Sequence, residues 1–369
     1  MLEASLAFSV AAVGFTACGQ ERSPTVPRFS PTVDTCAASD GPVGAFWGSD
    51  EGVGWPGRGP ESPEGGDVWS ITVDGQVQPI TDDARSRDPS ISDDGRRLYF
   101  NRSAGGTVAA TAAPGTEAWV HDLTTGEQTM LFALDDPQFE SVTRLAESPD
   151  GTTIAYSAAV GDPSSARERI YLIDRVDARS PRPLPVPESD LFNGQVEPTW
   201  SPDGTMLAYL DYEIDELQNS SWSVRMVELE SSKPRLVYEY ADPSRLRGLH
   251  WSPDARSLLV TEESIQPSDE SPRIGNVAVS IDAASGERTV LADDVVLEVT
   301  YFAAGGEMIG EIGSPLGAAD TLQDPVLSTW DRAADEVTAD TTALSASLSF
   351  ASSLTIAACA LQPMTANPL

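Results

Sequence analysis

A segment of thirteen residues, PTWSPDGTMLAYL from Pro198 to Leu210, recurs along the chain at nearly even spacing, and this limits the fold more than any other feature. Its relatives are DPSISDDGRRLYF from Asp88, RLAESPDGTTIAY from Arg144 and GLHWSPDARSLLV from Gly248. Each reads as strand, tight turn, strand. Pro202 presets φ at the first corner, Asp203 can cap the turn with its carboxylate, and Gly204 accepts the left-handed conformation that closes it. Asp93, Asp94 and Gly95 take the same roles after Ser92, and Pro149, Asp150 and Gly151 take them after Ser148. In the fourth copy Ser252, Pro253 and Asp254 lead to Ala255 instead of glycine, so that turn is either strained or closed differently. The strands after the turns, such as Leu98-Tyr99-Phe100 and Leu207-Ala208-Tyr209, are apolar at successive positions, which predicts cover on both faces. Trp200 and Trp251 recur in step with the turn and are read as packing between sheets, not as sugar-stacking platforms.

The turn serines Ser92, Ser148, Ser201 and Ser252 are separated by 56, 53 and 51 residues. Degenerate copies follow around Ala303, another 51 residues on, and Ala351, 48 beyond that. Between the copies lies a second kind of hairpin, of which DVWSITVDGQVQPIT from Asp67 and EAWVHDLTTGEQTMLF from Glu117 are examples. Two hairpins per repeat of roughly 40–50 residues make a four-stranded propeller blade. The series opens on a second-type hairpin at Asp67 and ends on a first-type hairpin at Ser347–Cys359. The expected fold is therefore all-β: a six-bladed propeller of four-stranded antiparallel blades, its ring closed by hairpins from the two ends of the chain. If Val43–Trp47 brings a hairpin of its own, the count becomes seven.

These segments resemble the WD40-like repeat of TolB-type β-propellers and of the propellers of prolyl oligopeptidases. The WSPDGTMLAY core from Trp200 to Tyr209 carries the resemblance most fully, with Ser148–Tyr156 and Trp251–Leu259 beside it, and it extends over roughly Asp67 to Cys359. It implies the fold and says almost nothing about activity, because such propellers serve binding, scaffolding and catalysis alike. Only a short segment precedes the blades here, so the periplasmic Tol role is not carried over.

The balance of 23 basic and 57 acidic residues, a net charge of −34, argues against a nucleic-acid partner, since phosphate contacts need Lys and Arg. It favours solubility first and cationic partners second. Lys233 is the only lysine, a skew that suggests a GC-rich bacterial genome.

Ala4–Ala17 is an apolar run of 14 residues, short for a membrane span and fitting for the core of a secretory signal. Phe15-Thr16-Ala17 then leads directly to Cys18, which resembles a bacterial lipobox. Residues 1–17 are accordingly read as a signal peptide, 18–41 as a Pro-, Ser- and Thr-rich tether lipidated at Cys18, and 42–369 as the propeller. Such a protein would be held at the outer face of a bacterial cell membrane. Cys36 near the tether's end and Cys359 near the closing blade are expected to form a disulfide clasp, as an exported location permits.

No G-x-S-x-G elbow, H-E-x-x-H, zinc-spaced Cys/His set, phosphate loop or dinucleotide motif is present, and none of the motifs requires a cofactor. The two histidines, His121 and His250, are read as structural. Val160–Arg169 and Tyr212–Ser221 read as longer, polar loops between hairpins; Asp211, Glu213, Asp215 and Glu216 cluster at the start of the second, a conceivable cation site but without EF-hand spacing. Arg87, Arg144, Arg247 and Glu197 fall just before the repeated hairpins, where a propeller brings side chains toward its channel mouth. The sequence thus favours a non-catalytic binding or scaffold module with an envelope protein as partner, its channel free to take a small ligand or cation. The alternative is a carboxylate-based, metal-assisted enzyme acting on a small or carbohydrate substrate in the channel.

Overall fold

The computed structural model describes residues 42–48, 67–72, 77–83, 85–92, 94–103, 117–134, 139–160, 167–178, 180–184, 192–215, 219–229, 233–240, 245–252, 254–266, 273–292, 295–302, 307–312, 326–331, 336–339 and 354–356. Every regular element among them is a strand. The first three, β1 (Pro42–Gly48), β2 (Asp67–Thr72) and β3 (Val77–Pro79), belong to the closing blade. The second blade is β4 (Ser86–Ile91), β5 (Arg97–Arg102), β6 (Glu117–Asp122) and β7 (Gln128–Ala133). The third is β8 (Phe139–Glu147), β9 (Thr153–Val160), β10 (Arg167–Asp174) and β11 (Arg182–Pro183). The fourth is β12 (Phe192–Trp200), β13 (Met206–Ile214), β14 (Ser220–Glu228) and β15 (Pro234–Tyr240). The fifth is β16 (Arg245–Trp251), β17 (Ser257–Gln266), β18 (Arg273–Asp282) and β19 (Arg288–Ala292). The sixth is β20 (Val295–Phe302), β21 (Glu307–Ile312), β22 (Val326–Asp331) and β23 (Glu336–Ala339). The last strand, β24 (Leu354–Ile356), returns to the closing blade, whose order is β24-β1-β2-β3.

Among the described residues there are therefore six four-stranded antiparallel sheets. Their innermost strands form a closed ring: β4 packs on β8, β8 on β12, β12 on β16, β16 on β20, β20 on β24 and β24 on β4. This is a propeller, and the expected count of six holds for the described strands.

Two features differ from the sequence reading. Among the described strands, the closing blade takes three from the N-terminal side and one from the C-terminal side, not a hairpin from each. Val43–Trp47 explains this: it lies in β1, which pairs with β2 along one edge and β24 along the other, so it completes the closing blade and starts no seventh. The segments read as loops at Val160–Arg169 and Tyr212–Ser221 are also shorter than expected. Arg167 pairs with Val160, and Tyr212 pairs with Trp222 with ring centroids 4.9 Å apart, so cross-strand contacts carry both hairpins further.

The cores lie between blades, which is why the strands are apolar at consecutive positions. Leu98 and Phe100 face Ala45 and Val68 of the closing blade, while Tyr99 between them joins Leu145, Ile154 and Tyr156 of the third. Leu207 and Tyr209 pack with Ala155, Ile170 and Leu172 of the third blade, whereas Ala208 and Leu210 pack with Leu246, Trp251 and Val260 of the fifth. Fully burying each large side chain contributes about 1.5–3 kcal/mol, and the alternation distributes that gain to both neighbours of every blade. The two tryptophans work as expected at these seams. Trp200 Nε1 donates to the carbonyl of Ala146 at 3.0 Å, and Trp251 Nε1 to that of Thr199 at 3.3 Å, each in the preceding blade.

Candidate binding channel

The repeated turns share one network, with the serine at its centre. Ser92, Ser148, Ser201 and Ser252 each donate Oγ–H to the carboxylate two residues on, Asp94, Asp150, Asp203 and Asp254, at 2.7, 2.6, 2.6 and 2.7 Å. The same Oγ accepts the backbone N–H five residues on, from Arg97, Thr153, Met206 and Ser257. Asp150 is held below the ordinary carboxylate range chiefly by the Ser148 hydroxyl. Gly95, Gly151 and Gly204 take φ of 68°, 71° and 70°, and each donates its N–H back to the serine carbonyl. Ala255 does the same with φ 57° and a 2.9 Å bond to Ser252, so the fourth turn is closed identically and bears the strain. Pro149 and Pro202 lie in the turn beside their serines. These residues shape the blade through the turn network. Pro253, Cys18, Cys36 and Cys359, with the signal and tether, lie outside the described residues.

Four residues before each turn serine the innermost strand carries a β-bulge. The register breaks between Arg87 and Ser90 in β4, Thr143 and Leu145 in β8, Val196 and Thr199 in β12, and Arg247 and His250 in β16. The residue inside each break has positive φ: Asp88 at 50°, Arg144 at 37°, Glu197 at 53° and Gly248 at 64°. For a residue with a Cβ this conformation costs about 1–2 kcal/mol, and it turns the side chain out of the sheet's alternation. Three non-glycine residues at one register position, each on a ring-lining strand, identify the channel wall as the candidate site.

Each bulge side chain makes a different contact. Asp88 Oδ2 accepts from Asn101 Nδ2 at 2.8 Å within its own blade. Glu197 Oε2 accepts the backbone N–H of Leu249 in the next blade at 3.1 Å. Arg144 reaches further: its Nη2 lies 3.3 Å from Nε2 of His250. Arg144 is in the third blade and His250 in the fifth, which are not neighbours in the ring, so the contact passes in front of the fourth blade's innermost strand. Burial, and then the Arg144 charge, push His250 well below its usual value. The imidazole is neutral and its Nε2 accepts from the guanidinium.

The sequence reading selected Arg144 and Glu197, which are bulge residues, together with Arg87 and Arg247, which stand one place before the bulge. Arg87 Nη2 meets Ser103 Oγ at 3.3 Å and Arg247 pairs with Glu263. Asp88 and the role of His250 were missed. The available signal was the fixed distance from the turn serine. His121, by contrast, stands on β6, two strands from the axis.

Several carboxylates around these strands are tied to arginines. Asp211 meets Arg225 at 2.6 Å, Glu262 takes Arg288 at 2.7 Å and also Tyr238, and Glu147 lies 3.0 Å from Arg97 and 3.4 Å from Arg175. The acidic run does not converge: Asp211 is bound to β14, Asp215 accepts from Asn219, and Glu216 lies outside the described residues. Among the described residues no three His, Cys, Asp or Glu side chains stand together as a metal-binding group. Glu168 differs from the paired acids. Its Oε2 accepts from Tyr212 at 3.0 Å, and burial raises its carboxyl above the ordinary range.

No family model matches the chain. An uncharacterized protein of Agrobacterium fabrum is 29% identical over 152 residues, which are 40% of this chain and 47% of that protein, so the chain spans about half the length of the curated relative it matches. Among solved structures, a candidate TolB of Agrobacterium tumefaciens superposes with a TM-score of 0.50 at 14% identity, covering 82% of this chain and 89% of that one. An oligogalacturonate lyase of Vibrio parahaemolyticus gives 0.50 at 13%, over 74% and 71%. A further oligogalacturonate lyase, in complex with manganese, gives 0.50 at 14%, over 74% and 70%. These likenesses concern the fold alone. With the six-sheet ring and the repeated turn, they show that this chain has the β-propeller fold.

Proposed function

We propose that this chain is a non-catalytic binding module of the bacterial cell envelope, exported, anchored through lipid on Cys18, and presenting its propeller to a protein partner. The observation that carries the binding part is the state of five described acids on the innermost strands and the strands next to them. Asp88 and Glu197 accept hydrogen bonds from an amide and a backbone N–H, and Asp211, Glu262 and Glu263 are held by arginines. Groups so engaged hold a shape and are poorly placed to pass protons. The export part rests on the apolar run ending at Cys18. Replacing Cys18 with serine should abolish incorporation of labelled fatty acid and release the protein from the membrane fraction; a Cys18→Ser protein that stays fully membrane-bound would defeat the anchor. Crosslinking the lipidated protein in its native membrane should capture a specific envelope protein, and capture of nothing above background would count against that partner.

Glu168 favours a second reading, a carboxylate-based enzyme acting on a small or carbohydrate substrate. A buried carboxyl whose proton affinity is raised by burial is the kind of group that general-acid catalysis uses. Turnover of neutral or acidic oligosaccharides by the purified protein, lost in Glu168→Gln, would establish it; equal turnover in both proteins would remove Glu168 from the chemistry.

A further inference from the structure

Arg144 is placed in the channel at the expense of backbone strain, with φ 37°, and what it meets there is not an acid. Among the described residues its one polar partner is His250, and no carboxylate lies within ion-pair reach of it. A neutral imidazole accepting one N–H fixes the orientation of the guanidinium and leaves its charge intact. The two acids at the equivalent bulges are occupied elsewhere, Asp88 by Asn101 and Glu197 by Leu249. At the fourth bulge Gly248, with φ 64°, contributes no side chain. In a protein of net charge −34, this is an oriented cation retained on a ring-lining strand without a counter-ion among the described residues.

We propose that Arg144, oriented by His250, is the receptor for the carboxylate of a small monoanionic ligand that enters the channel. The planar fork of a guanidinium matches a carboxylate with two parallel N–H···O bonds, and giving one N–H to His250 still leaves an edge free. The charge around it selects the class. Asp88 and Glu197 stand at the same level on the flanking innermost strands, so a dianion such as phosphate meets more repulsion than one carboxylate does. The ligand is therefore a small molecule with a single acid group. This goes deeper into the binding-module reading and rests on it in one respect, that the channel is a place where something is bound.

The chain has only two histidines, which makes the test direct. Full-length protein labelled with ¹⁵N in its imidazoles is titrated with acetate, lactate and N-acetylglycine, and in parallel with inorganic phosphate. The His121→Asn variant assigns the two sets of signals. The expected result is saturable movement of the His250 resonances by the monocarboxylates, with His121 unmoved. Arg144→Gln should weaken that binding by about tenfold to a hundredfold, the worth of a charged hydrogen bond, and Arg144→Lys should fall between the two. An unchanged His121 spectrum and thermal midpoint in Arg144→Gln show that the variant is folded. The proposal is overturned if no carboxylate moves His250, if Arg144→Gln saturates with wild-type affinity, or if phosphate binds more tightly than the monocarboxylates. Failure here with a protein partner still captured from the membrane would remove the carboxylate site and leave the binding module standing.

Discussion

At the scale of single residues, one backbone conformation recurs in two unlike roles. At the turns, positive φ closes a hairpin, and Ala255 adopts it where the other copies have glycine. Ala255→Gly should raise stability by about 0.5–1 kcal/mol, read as a higher urea midpoint, and Gly204→Ala should lower it by about 1 kcal/mol. At the bulges, the same conformation aims side chains at the channel. The turns were legible in the sequence because Pro, Asp and Gly signal them chemically. The bulges were not, because Asp88, Arg144, Glu197 and Gly248 share no side-chain property and are alike only in distance from a serine. His250 was likewise read as structural because nothing local shows that an arginine two blades away will reach it. Its depressed proton affinity has a defined consequence. Below the unfolded value of 6.5 the unfolded chain takes a proton that the folded chain refuses, so stability falls as pH drops from 6.5 toward the folded value. Thermal melts between pH 6.5 and the carboxylate range should show this slope in the wild type, and His250→Gln should flatten it. Burial-raised acids such as Glu147 and Asp211 act in the opposite sense, so the His250 contribution is read as the difference between the wild-type and His250→Gln slopes.

At the scale of elements, blades are joined by polar staples as well as by their apolar seams. Glu147 of β8 is met by Arg97 of β5 in the preceding blade, and Glu262 of β17 binds Arg288 of its own blade and Tyr238 of the fourth. Glu262 is 4% exposed, so Arg288→Ala, which removes its cation, should cost about 3 kcal/mol in chemical denaturation; an effect within experimental error would mean that the Tyr238 bond suffices. Close approach sets another limit. Gly286, in the turn before β19, has φ 75°, and a Cβ there would stand 2.1 Å from the carbonyl oxygen of Val237 in β15. Gly286→Ala must therefore spread the fourth and fifth blades, and its midpoint should drop further than that of Gly204→Ala, whose added Cβ meets nothing closer than 3.6 Å. The hairpins themselves could be read from the sequence, but their lengths could not. Polar residues such as Arg167 and Glu213 read as loop, yet they occupy paired strand ends held by the partners opposite, Val160 and Ser221.

At the scale of the whole molecule, the even spacing of the turn serines was sufficient to count the blades, since each period must supply four strands. How the ring closes was less accessible. A short strand at the start of the chain fits a new blade or an incomplete one equally well, and only its pairing on both edges decides. Removing residues 354–369 should therefore do more than trim a terminus. It strips the innermost strand of the closing blade, and the melting transition should broaden and move well below that of the intact chain. The position of β24 also has a temporal meaning. Until Leu354–Ile356 has been synthesised and docks, β1 presents a bare edge at the axis, and β20 and β4 lack the neighbour that joins them. Five blades can be in place while the molecule remains an open arc, with an unpaired strand able to join another chain. The hazardous interval in forming the ring thus lasts until β24 pairs, and one specific strand edge, that of β1, has to be guarded until then.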